Sequence, residues 1–190
     1  GKFPETRGIY EAMMTEIASQ IEAGGYHLIF LSTRGDLWRQ SLTERRVDGC
    51  LLITEADQAI VQVLEESRMP AVILNDTSTN PAIHCVQADD TNGCRAAMRH
   101  LMDLGHRRIA YFRRKGSSKE KHISITMRRE TYVQVMREAG LSEYILTVDG
   151  EVDDFLNQTH TGPGGYTAVV LYSHTEVVKL YSAANARGLV

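Results

Sequence analysis

The chain has no stretch near the roughly 20 consecutive apolar residues that cross a membrane, and no charged n-region followed by an apolar core marks a secretory signal. A cytoplasmic protein without a membrane partner is the expectation, although a precursor that had lost its signal would read the same way. Cysteine is scarce. Cys50, Cys85 and Cys94 are three in number, widely spaced and without a CxxC. An odd set with two members in apolar runs reads as reduced, buried thiols. An excess of charge of one sign is also lacking: 21 Lys and Arg against 24 Asp and Glu leave a net charge of −3. That balance gives this piece no global electrostatic attraction for nucleic acid.

Catalytic signatures are missing as well. There is no GxSxG, no GxxxxGK[ST], no HExxH and no GxGxxG after a strand. The nearest glycine-rich stretch, TGPGG at 161–165, precedes a strand and reads as a turn. Seven histidines are scattered without an i, i+4 pair. His100 and His106 do not share a helix face for a metal, and both read as surface or boundary residues. A cysteine–histidine nucleophilic pair stays open on sequence alone, with nothing pointing to one. The chain is expected to be no enzyme, to hold no metal and to need no cofactor.

What is present is ordinary in amount and regular in order. With 190 residues, 43% hydrophobic and 24% charged, the chain is long enough for one or two compact units and removes roughly 70% of its unfolded surface from water. RRVDGCLLI at 45–53 passes abruptly from charge to an unbroken apolar run. That suits a strand covered on both faces, the habit of parallel sheets flanked by helices, with a buried helix segment as the alternative. Ile9, Met13, Ile17 and Ile21, with Tyr10, Met14 and Ala18 beside them, predict a helix over 8–23 closed by Gly24-Gly25. YHLIFLS (26–32) then reads as a strand, RGDLWRQSLTERR (34–46) as a short helix, and 57–68 as another, broken at Met69-Pro70. AVILN (71–75) and AIHCVQ (82–87) read as strands. Asp89 or Asp90 caps a helix to Leu104. RIAYF (108–112), a helix over 127–139, YILTV (144–148), YTAVVLY (166–172) and a last helix to Arg187 follow, with loops at 113–126 and 149–165. This alternation predicts an α/β fold with parallel sheets.

In such folds ligands bind beyond the carboxyl ends of strands. That rule selects Ile53-Thr54-Glu55, Asn75-Asp76, Arg113-Arg114-Lys115 and Ser173-His174, a set suited to a polar ligand. The same residue types favour strand-end turns, so the pattern leaves both readings open. The segment from Arg107 to Lys121 holds seven Lys and Arg. It is either a solvated face or an anion site built on Arg113, Arg114 and Lys115 with the loop amides of KGSSKEK.

RRVDGCLLI, MPAVILND, VQADDTNGCRAAMRHLMDLGHRRIAYF and MRRETYVQVMREAGL resemble, in order and spacing, the effector-binding core of LacI-type transcription regulators. HLMDLGHRRIAYF (100–112) is the most specific of these runs, and the resemblance extends over nearly the whole chain from Gly8. It implies two Rossmann-like subdomains of the periplasmic-binding-protein-like type I, here 1–105 and 106–190, with a small-molecule effector in the cleft. It also implies a chain truncated at both ends relative to the family domain, with no helix-turn-helix head among these residues. Operator DNA would be met through that head only. The family further implies a homodimer and a repressor that binds a sugar, polyol or sugar phosphate. Rival readings are a solute-binding protein of a sugar transporter, which has the same fold, and an α/β enzyme.

Among site residues, the resemblance places an effector-holding arginine three residues before a Gly-aromatic pair, and Arg128 stands three before Thr131-Tyr132. If the helix buries Val133, Met136 and Ala139, Arg128 lies about 140° from that side and faces the cleft. Asn75 falls where the family commonly has an acid, and Asp76 follows it. Ser173-His174 replace the family's usual Asn-Asp, which points to a different effector.

Overall fold

The computed structural model describes residues 8–33, 35–53, 58–115, 122–159 and 164–189. In chain order they form α1 (Ile9–Ala23), α2 (Leu37–Thr43), β1 (Cys50–Ile53), α3 (Gln58–Ser67), β2 (Ala71–Leu74), β3 (His84–Val86), α4 (Asp90–Asp103), β4 (Ile109–Arg114), α5 (Ile123–Glu138), a 3-10 turn (Ser142–Tyr144), β5 (Leu146–Gly150), α6 (Val152–Gln158), β6 (Ala168–Leu171) and α7 (His174–Ala186). Two three-stranded sheets result, ordered β1-β2-β3 and β5-β4-β6. The pairs β2–β3, β4–β5 and β4–β6 are parallel, the α/β arrangement that the alternation predicts. Parallel strands need crossover connections: α5 lies on the one from β4 to its neighbour β5, and α6 on the one from β5 across to β6 on the other side of β4.

By contact density the chain divides into Gly1–Cys50 with Gln58–Pro70, and Leu51–Asp57 with Ala71–Val190. In the first unit Leu42, Ile60, Val63, Leu64 and Met69 are buried, while Met13, Ile17 and Ile21 of α1 are half-buried. A Cβ on Gly49 would stand 3.4 Å from the Pro70 carbonyl, to which Cys50 N–H donates at 2.9 Å. The chain therefore enters β1 close against Pro70, where a side chain at position 49 would crowd the carbonyl.

The second unit is organised by β4. Ile109, Ala110, Tyr111 and Phe112 are all 0% exposed, because a central parallel strand is covered on both faces. Alternation sends Ile109 and Tyr111 to one side, with Cys94 and Met98 of α4 and Tyr132 and Met136 of α5. Ala110 and Phe112 go to the other side, with Phe155 and Leu156 of α6 and Leu180 and Ala184 of α7.

Several expectations are corrected. Residues 26–32 join no ladder among the described residues and leave Tyr26, Ile29 and Phe30 more than half exposed; strand propensity without a neighbour to pair with makes no strand. The expected loop at 113–126 ends early, since α5 begins at Ile123, where the His122 side chain caps it by accepting Ser124 N–H. The expected loop at 149–165 contains α6, whose seven residues are too few to show a period. The buried side of α5 is Ser124, Ile125, Thr131, Tyr132 and Met136, whereas Val133 is half-buried and Ala139 exposed. Finally, all three cysteines are free but only Cys94 is buried; Cys85 is exposed on β3.

Candidate functional site

The carboxyl ends of the strands hold most of the selected residues. At the end of β2, Asn75 takes a left-handed backbone, φ 62°, a conformation asparagine tolerates better than most side chains. Its N–H donates to Val86 O at 2.7 Å, and Asp76 Oδ1 accepts Thr77 N–H at 2.8 Å. At the end of β6, Tyr172 N–H donates to Phe112 O at 3.1 Å, and Ser173 O accepts Glu176 N–H at 3.1 Å. His174 opens α7. Thr54 and Glu55, like 116–121 of KGSSKEK, lie outside the described residues.

Arg128 is the hub. Tyr132 lies four residues on, which at ~100° per residue sets the two side chains some 40° apart, so Arg128 leans toward the buried side of α5 rather than away from it. It is held there by three groups. Its Nε donates to Asp90 Oδ1 at 2.6 Å, an Nη donates to the Tyr172 carbonyl, and the guanidinium stands 5.2 Å from the Tyr172 ring centroid. The Arg128 side chain keeps 36% exposure while Asp90 is at 9%. A fork with five donors therefore sits partly in solvent, oriented by a largely covered carboxylate and an aromatic face. Asp90 is carried by the first turn of α4, whose cap is Asp89, accepting Asn92 N–H at 3.0 Å. Those bonds from the Asn92 backbone and side chain hold the Asp89 carboxyl below its ordinary range. Beneath, Cys94 Sγ donates to Arg128 O at 3.4 Å, and burial pushes the Cys94 thiol up.

A second polar line meets Arg128 at Tyr172. The Tyr172 hydroxyl is 3.1 Å from Ser124 Oγ, Ser124 Oγ is 2.7 Å from His122 Nδ1, and His122 Nε2 is 2.5 Å from Asn75 O. Two expected site residues, Asn75 and Arg128, are thus brought into one connected array. Asp90, His122, Ser124 and Tyr172 belong to it and were not anticipated. Asp90 shows in sequence only as a cap, and His122 falls in an expected loop.

The three basic residues do not converge. Arg113 and Arg114 point to opposite faces of β4. Arg113 forks onto Asp149 of β5 at 3.1 and 3.3 Å; Arg114 N–H donates to Glu176 at 3.1 Å; Lys115 is exposed. A hollow of about 310 Å³ lined by Arg129, Glu130, Val133, Gln134, Arg137 and Thr147 includes none of the expected site residues. Among the described residues no three His, Cys, Asp or Glu groups are placed to hold a metal, and no helix is long and apolar enough to cross a membrane.

Two parallel sheets with helices between strands, and polar groups gathered at strand ends, define a periplasmic-binding-protein-like fold. The sequence profile of the family described as periplasmic binding proteins and sugar binding domain of LacI family matches residues 9–160, and the chain belongs to that family. A transcriptional repressor, PurR, of Photobacterium profundum is 30% identical over 125 residues, 62% of this chain and 36% of its own length. A regulator of Streptomyces limosus is 31% identical over 116 residues, 55% of this chain and 33% of its own. The matches thus span about a third of these relatives. Among solved structures, a LacI-family regulatory protein of Chloroflexus aggregans covers the whole chain and 71% of its own at TM-score 0.78 and 24% identity. A LacI-family regulator of Enterococcus faecium with bound ribose covers 98% of this chain and 70% of its own at TM-score 0.76 and 17% identity.

Proposed function

We propose that the chain is the effector-binding domain of a LacI-type repressor and that it binds a sugar or related polyol through Arg128, with Asn75, Asp76, Ser173 and His174 contributing. Arg128 carries the reading: a half-exposed guanidinium, pre-oriented by Asp90 and the Tyr172 ring, suits bidentate contact with a diol or carboxylate. The relatives named as repressors, and the ribose held by one structural neighbour, support it over a transport protein or an enzyme. Arg113, Arg114 and Lys115 are left a lesser part, since Arg113 is already taken up by Asp149. The proposal includes two subdomains meeting near residue 105, a homodimeric whole protein, and operator recognition by a helix-turn-helix outside these 190 residues. An effector with unequal affinity for two conformations would shift their balance and so DNA binding.

Calorimetric titration of monosaccharides, ribose first, into the wild-type chain and Arg128→Ala tests the reading. Losing one charged contact of about 1.5–3 kcal/mol should weaken binding roughly ten- to a hundredfold. Equal affinity in a folded variant removes Arg128 from the site.

A further inference from the structure

His122 is 7% exposed and its two ring nitrogens face groups of opposite kind. Nε2 lies 2.5 Å from Asn75 O, which can only accept. Nδ1 lies 3.3 Å from Ser124 N–H, which can only donate. The proton therefore sits on Nε2 and Nδ1 is bare. Asn75 Nδ2, 3.4 Å from Nε2, is then a packing contact between two donors rather than a bond. Since Nδ1 is an acceptor, Ser124 Oγ at 2.7 Å donates to it, and the Tyr172 hydroxyl at 3.1 Å donates to Ser124 in turn. Every proton in the line points one way, from Tyr172 through Ser124 and His122 to the carbonyl of Asn75. At the near end Arg128 holds both the Tyr172 carbonyl and its ring. At the far end the bond fixes the carbonyl of Asn75, whose backbone is left-handed at φ 62°.

We propose that His122 is the positioning residue of the site, a tautomer-locked clasp that sets the Asn75 turn and connects it to Arg128 through Ser124 and Tyr172. This rests on the reading of Arg128 and Asn75 as effector contacts, and it adds how the two are kept in register. A ligand that pulls on the Arg128–Tyr172 end is felt at Asn75, because no donor in the line is spare.

Helix capping is the competing role for His122, and one substitution separates the two. His122→Asn keeps a strong cap for α5 but is too short to reach Asn75. In the 190-residue chain, long-range proton–nitrogen correlation should show His122 protonated at Nε2 and bare at Nδ1; the opposite tautomer overturns the clasp. Amide exchange at Asn75 and Asp76 should rise on the order of fivefold in His122→Asn, the loss of about one hydrogen bond, while Tyr132 and Met136 stay protected. Unchanged exchange at Asn75 would leave His122 a helix cap and nothing more. If wild type binds ribose, His122→Asn should bind it on the order of tenfold more weakly, and equal affinity ends the positioning role. Weakening in His122→Asn with none in Arg128→Ala would instead move the ligand off Arg128. If wild type binds no ribose, that sugar drops out of the reading of the site, and the exchange result decides the clasp by itself.

Discussion

The two faces of β4 bury the same number of its residues with different chemistry. Toward α6 and α7 the contacts are hydrocarbon, with Phe112 and Phe155 rings 4.6 Å apart and Leu156, Leu180 and Ala184 around them. Toward α4 and α5 the face holds two tyrosines, a thiol and two methionines, and it continues into the polar array at Arg128. Even its tyrosines differ. Tyr132 Oη donates to Ile109 O at 2.7 Å and accepts Leu146 N–H at 3.0 Å, so it ties β4 to β5. Tyr111, with its ring 5.6 Å away, has a buried hydroxyl with no hydrogen-bond partner among the described residues. The first face is hydrocarbon up to the end of β4, where the buried Glu176 of α7 accepts Arg114 N–H. The other accepts an uncompensated polar group at the edge of the candidate site, which is where such exceptions concentrate.

The largest expected effect breaks the apolar face. Phe155→Ala should cost about 3–5 kcal/mol by urea denaturation, the range for deleting a buried aromatic ring. Tyr132→Phe should cost less, about 2 kcal/mol, because a buried carbonyl and an N–H each lose a partner. Burial has also pushed the Tyr132 hydroxyl up to about 12. An acid with a raised folded value contributes stability that is full below its unfolded value near 10. That share is lost as pH rises toward 12, and the phenylalanine variant should lack this alkaline slope.

Tyr111→Phe sharpens the contrast. Removing a hydroxyl that bonds nothing should leave stability unchanged or raise it by up to about 1 kcal/mol; a loss as large as that of Tyr132→Phe would mean the hydroxyl is satisfied. Asp89 gives the smallest effect. Its lowered carboxyl stabilises above its unfolded value near 4 and ceases to do so as pH falls through the lower folded value. Asp89→Asn, which still caps α4, should flatten thermal stability against pH only below about 4.

β4 was legible because four consecutive apolar or aromatic residues in RIAYF, Ile109 to Phe112, admit few other readings, and its full burial is that of a central strand in a parallel sheet. Residues 26–32 carried a similar signal and made no strand, since pairing is decided by a partner that propensity does not contain. α6 was too short to show periodicity, and His122 is not among the common capping side chains. Arg128 was found through family resemblance, but its surroundings were not. The buried side of α5 was read one step wrong, from Val133 and Ala139 instead of Tyr132 and Thr131. Its partner Asp90 lies 38 residues away in sequence, a distance over which no local pattern speaks.

The unequal cysteines make the chain straightforward to label. A maleimide reacts with thiolate, and burial raises the thiols of both Cys50 and Cys94. Cys85 is exposed, and it precedes Val86, the residue whose carbonyl receives the Asn75 amide. At neutral pH a single environment-sensitive dye should therefore settle beside the strand residue that accepts the Asn75 amide. Its fluorescence would follow the Asn75 turn as candidate sugars are added, with no engineered cysteine required.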